Sequence, residues 1–126
     1  DDVESRGLGD VYKRQHIKIY DSGFKMLKKL KSNTAYNILI YLHSISEYNE
    51  GIVYFNNVER KRLMSLLGIK SNAITNALRL LEQSKFLLRT PEYILLNPLP
   101  VWKGDAKTRD KILKETKTTF YINNEL

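Results

Sequence analysis

Residues 56–89 read NNVERKRLMSLLGIKSNAITNALRLLEQSKFLLR, and two helical periodicities run through them. Val58, Leu63, Leu66 and Leu67 recur at helical spacing behind Asn56, whose side chain suits a helix cap, and Glu59 stands three residues on where a capping box places it. Gly68 stops this helix because glycine takes a left-handed backbone cheaply, and Ile69 is left to plug the core beside the turn. A second pattern follows at once. Ile74, Ala77, Leu78 and Leu81 stand at i, i+3, i+4 and i+7, while Asn72, Thr75, Asn76 and Arg79 repeat that spacing on another face. Lys70 or Ser71 caps the second helix, Ser71 being chemically the better cap. One face packs and the other presents short donor and acceptor groups.

The flanking residues supply the remaining elements. Phe86 to Arg89 and Tyr93 to Leu96 are strand-like runs separated by Thr90-Pro91-Glu92, which makes them a hairpin, and Ile52 to Phe55 is expected as a third strand beside it. Tyr36 to Ser46 places Ile38, Leu39, Leu42 and Ile45 at helical spacing and reads as the central core helix. Ile17 to Tyr20 suits a short strand, followed by a helix over Phe24 to Leu30 capped by Asp21 or Ser22. Pro98 and Pro100 bar regular structure around them, and Asp105 caps a last helix through Ile112 and Leu113. This order predicts a mainly α protein with a small β-hairpin wing, an α+β winged helix-turn-helix. The expected divisions are a tail at 1–15, the winged domain at 16–102, and a C-terminal helix and tail at 103–126. The opening DDVESRGLGDVYKRQ lacks apolar periodicity and resembles translated sequencing-adapter read-through, so no function is placed on it.

Composition narrows the chemistry. The 126 residues contain no Cys, which excludes disulfides, thiolate metal sites and a cysteine nucleophile. There is no long uncharged apolar run and no signal-peptide pattern, so a soluble, cytoplasmic protein without membrane contact is expected. The formal charge is +7, and it is unevenly placed. Residues 16–31 carry +4, residues 59–89 carry +5 and residues 103–117 carry +3, whereas residues 32–55 contain no Lys or Arg. A block of 24 residues without a cation suits a scaffold whose neighbours face a polyanion.

Double-stranded DNA is the partner that this pattern predicts. A second helix with a polar outer face fits a major groove about 12 Å wide, and Asn pairs bidentately with adenine. Ser71, Asn72, Thr75 and Asn76 are the expected base readers; Arg60, Lys61, Lys70, Arg79, Lys85 and Arg89 are the expected phosphate contacts. The wing tip carries Glu92 rather than a cation, so little minor-groove insertion is expected there. Catalytic readings find no support. His16 and His43 stand 27 residues apart with no His-x-His pair, the eight Tyr sit among apolar positions, and no glycine-rich phosphate loop exists. His43 is expected to be a partly buried or surface polar residue. The reading is therefore a non-enzyme without cofactor or metal.

Three stretches carry a narrower likeness: IKIYDSGFKMLKKL at 17–30, GIVYFNNVERKRLMSLLGIKSNAITNALRLLEQSKFLLR at 51–89 and YILLNPLPVWKGDAKTRDKIL at 93–113. In them the chain resembles the RepL type of Firmicute plasmid replication proteins. The narrowest part is a hairpin running into Asn97-Pro98 and then Trp102-Lys103-Gly104-Asp105. The resemblance implies a role in plasmid replication initiation or copy maintenance, with origin DNA as ligand and host replication proteins as recruited partners. A transcriptional regulator on the same fold, and a winged helix that binds protein rather than DNA, are the alternatives. A homodimer is expected from the need for two recognition helices, paired through Phe24, Leu27 and Leu30 or through Ile112 and Leu113, unless these ends fold back onto their own core.

Overall fold

The structure, a computed structural model, describes residues 17–121; the tail at 1–15, His16 and the end of the chain beyond Tyr121 lie outside the described residues. Strand β1 (Ile17–Ile19) leads into helices α1 (Asp21–Leu30) and α2 (Asn33–Ile45). Then come β2 (Ile52–Val53), α3 (Asn57–Leu67), α4 (Ser71–Gln83), β3 (Leu87–Arg89), β4 (Ile94–Leu96), β5 (Val101–Lys103) and α5 (Ala106–Phe120). The described chain is a mixed α+β fold with two small antiparallel sheets.

Local chemistry accounts for most helix ends. Ser32 accepts from Ala35 N–H at 3.1 Å, which starts α2 one turn before the apolar run that announces it. Asn56 accepts from Glu59 N–H at 3.0 Å and caps α3. The capping box is only half made, because the Glu59 carboxylate is drawn to the Tyr41 hydroxyl at 2.6 Å and to Arg62 at 3.1 Å. Gly68 ends α3 at φ +66° with its N–H on Met64 O. Two expected caps fail. The position before α1 is Tyr20, whose N–H bonds Pro100 O at 3.0 Å, and Ser22 donates to Leu99 O instead of capping. Lys70, one of the two residues expected to cap α4, does occupy the cap position but makes no side-chain cap bond, and Ser71, the chemically better cap, is already helical.

The three-stranded sheet has the order β2-β4-β3, with Val53 opposite Ile94 and Leu88 opposite Leu95. Ile52–Val53 is thus the third strand beside the hairpin, two residues shorter than the expected run. Sequence reading missed the second sheet. Pro98 to Pro100 form a turn, but β5 begins at once after it and pairs with β1, Ile19 opposite Val101. The strand spans 101–103 and so crosses the boundary drawn between 102 and 103.

The core lies between α2, α4 and the hairpin. Ile38, Leu39 and Leu42 of α2 meet Ile74, Leu78 and Leu81 of α4, with Leu63, Phe86, Leu87 and Leu96 closing around them. His43 belongs to this buried set at 1% exposure, which corrects the expectation of a partly buried or surface residue: it shares the inward face of α2 with Leu39 and Leu42. Trp102 is fully buried and donates to Asp105 O at 3.1 Å. Lys103, also buried, donates to Ser44 O at 3.0 Å and Ser46 O at 2.5 Å. Asp105 accepts from Thr108 N–H at 2.7 Å and caps α5, while Asn49 binds its carboxylate and its N–H. Residues 102–105 thus form a clasp holding α5 to the turn after α2. Its glycine has no room for a side chain: Gly104 has φ +156°, and a Cβ would lie 2.0 Å from Asn49 Oδ1.

Candidate nucleic-acid interface

Burial of Ile74, Ala77, Leu78 and Leu81 orients α4, because four apolar side chains on one stripe can be covered only by the core beneath them. The opposite stripe is exposed at Asn72, Asn76, Arg79 and Gln83. These positions, at i, i+4, i+7 and i+11, form a polar row about 16 Å long. Gln83 was absent from the expected set; its spacing of seven from Asn76 is the signal that could have found it. Within the row Arg79 donates to Asn76 Oδ1 at 3.2 Å. That bond leaves the Asn76 amide nitrogen as the outward donor.

Ser71 and Thr75 occupy the shoulder of this row and are only half exposed. Both are held from beneath by Arg60 of α3. One of its guanidinium nitrogens, Nη1, donates to Ser71 O at 3.0 Å, Ser71 Oγ at 2.9 Å and Thr75 Oγ1 at 3.2 Å. Thr75 in turn donates to Ser71 O at 3.3 Å. Arg60 also lies over the Phe55 ring, 5.8 Å from its centre.

The expected phosphate-contacting cations divide into two groups. Lys61, Lys70 and Arg79 are exposed. Arg60 and Lys85 are partly buried and bonded within the protein, and Arg89 is exposed but paired with Glu82. Lys85, at φ +65° just past α4, donates to Phe120 O at 3.1 Å and lies 5.6 Å from the Tyr121 ring centre, so its ammonium faces the end of α5. Arg89 makes a fork on Glu82 of α4 at 2.8 and 3.0 Å, and its N–H reaches the other carboxylate oxygen at 3.2 Å. Glu82 therefore ties the hairpin to α4, a role that an isolated Glu in a helix does not reveal.

The hairpin turn is closed by Thr90, which accepts from Tyr93 N–H at 3.0 Å and donates to Tyr93 O at 2.8 Å. Between this tip and the two helices lies an open cleft of about 180 Å³, with Phe55, Leu78 and Ile94 apolar and Arg60 and Arg89 polar. Among the described residues no three Asp, Glu or His side chains converge as metal ligands, and no helix is long and apolar enough to cross a membrane. No protein-family model, curated protein or solved structure matches the chain.

Proposed function

We propose that the chain is a winged helix-turn-helix protein that binds double-stranded DNA by sequence, with α4 as its recognition helix and the β3–β4 hairpin as its wing. The observation that carries this reading is the row Asn72, Asn76, Arg79 and Gln83, exposed on a helix whose opposite face is fully committed to the core. Carboxamides and a guanidinium are the side chains that recognise base edges in a major groove. Exposed Lys61 and Lys70 add charge for phosphates on either side of the α3–α4 turn. The likeness of residues 93–113 to RepL-type proteins supports plasmid replication initiation or copy maintenance as the setting, with host replication proteins as partners and no catalysis by the chain.

The test is binding of the full chain to duplexes enriched from a random-sequence pool. Asn72→Ala and Asn76→Ala are each expected to cost about 1–3 kcal/mol on the enriched duplex and little on a scrambled one. Arg79→Ala should reduce the slope of log affinity against log salt by about one unit if it also neutralises a phosphate. Absence of salt-dependent duplex binding refutes the reading and leaves the protein-binding winged helix in its place.

A further inference from the structure

Building on the DNA-binding reading, we infer that Arg60 is a positioning residue for base discrimination, which acts by fixing the first turns of α4 and does not contact phosphate. Three observations converge on it. Its Nη1 reaches acceptors on Ser71 and Thr75, one helical turn apart, so a single group fixes α4 in both rotation and translation relative to α3. Its other side rests on Phe55, just beyond β2, so the same side chain joins α3 and α4 to the exit of the sheet. The first turn of α4 has no side-chain cap, and the chain enters it from a reversal at Gly68, where a Cβ would meet nothing within 4 Å. Arg60 thus adds a polar tie between α3 and that end of the helix, beside the packing of its apolar stripe.

The consequence falls on the base readers. Asn72 follows Ser71 and Asn76 follows Thr75, so each reader stands next to a residue that Arg60 holds. Donor–acceptor distances span only about 2.7–3.2 Å, and a helix displaced by an ångström therefore loses bidentate base contacts while its phosphate contacts adapt. A half-buried guanidinium already serving three acceptors is poorly placed for phosphate, whereas its neighbour Lys61 is exposed.

The experiment compares the full chain with Arg60→Ala and Arg60→Lys on the duplex enriched by the wild type and on a scrambled duplex, across a salt series and well below each variant's melting midpoint. A positioning role predicts that the enriched-to-scrambled ratio falls about tenfold in both variants while the salt slope stays unchanged. A slope lower by about one unit in Arg60→Ala with the ratio intact, and restored by Lys, makes Arg60 a phosphate ligand and overturns the inference. So does a ratio unchanged in both. If Arg60→Ala does not fold, Thr75→Val decides: the ratio must fall with no change of preferred base on re-selection, and an unchanged ratio overturns the inference. A wild type with no preference for any duplex removes the DNA reading first, a result separable from all of these.

Discussion

His43 shows how much one side chain can decide. Both ring nitrogens are buried without a hydrogen-bond partner, and burial, with the charge of Lys103 nearby, lowers its pKa to about 3. In the unfolded chain it titrates near 6.5, so between about pH 6.5 and 3 the unfolded state binds a proton that the native state does not. Stability is therefore complete above about pH 6.5 and falls as pH drops, by about 1.4 kcal/mol per unit at most. Denaturant titrations at pH 7, 6 and 5 should show this loss, and His43→Leu should remove most of it. Asn97 behaves oppositely, since it is buried and satisfied: it donates to Lys85 O at 2.7 Å and Tyr121 Oη at 2.9 Å and accepts from Leu99 N–H at 3.1 Å. Asn97→Ala strands these partners and should cost about 3 kcal/mol of unfolding free energy, against about 1 kcal/mol for Tyr121→Phe.

Among the elements, α4 and the hairpin carry the proposed function, and Glu82–Arg89 couples them. The hairpin tip bears Glu92, exposed beyond the closed Thr90–Tyr93 turn. Glu92→Lys is expected to raise affinity for scrambled duplex and steepen the salt slope by up to about one unit, measured by fluorescence anisotropy. A large loss of binding on that change would show a specific wing contact. At the other end of α3, Gly68→Ala should destabilise by about 1 kcal/mol through backbone strain alone, because φ is +66° and no neighbour crowds the position. The helix α5 depends on Asp105, whose carboxyl is held below its ordinary range by the Thr108 N–H and the Asn49 amide. Its contribution is present at neutral pH and is lost as pH falls through that lowered value.

Across the whole molecule, the cation-free block of residues 32–55 is α2 with β2, the helix with the most buried residues and the strand beside the hairpin, so much of it packs the core. The ends proposed for pairing are mostly turned inward. Leu30 is buried and Leu27 is partly buried against the core, leaving Phe24 at 59% exposure as the one member of the α1 set outside, while Ile112 and Leu113 of α5 are half-buried. The expected dimer on DNA would place two copies of α4 about 34–36 Å apart. Sedimentation on a duplex with two such half-sites should then show two copies, and pairing through α1 predicts that Phe24→Ser abolishes the second while changing stability by less than about 0.5 kcal/mol. A single bound copy of the wild type at saturation ends the dimer.

Periodicity and turn chemistry made α3, α4 and the hairpin legible, because they report a local fact: which face of a segment is apolar and where the backbone can reverse. The Asn56 cap, the Gly68 stop and the stripe Ile74–Leu81 are of this kind. Partners of polar groups are not local. Arg60, Lys85 and Arg89 look like free surface cations in a string of letters, yet their acceptors are supplied by Ser71 and Thr75, by the end of α5 and by Glu82. The pairing of β1 with β5 joins residues more than eighty apart through strands of three, too short to show any period. The burial of His43 follows from its place on the inward face of α2, where packing overrides a polar residue's preference for water. Sequence thus specified the polar face that α4 exposes, and only the assembled chain assigned which nearby charges hold that helix and which stay exposed beside it, because charge pairing depends on distance in space and not on spacing along the chain.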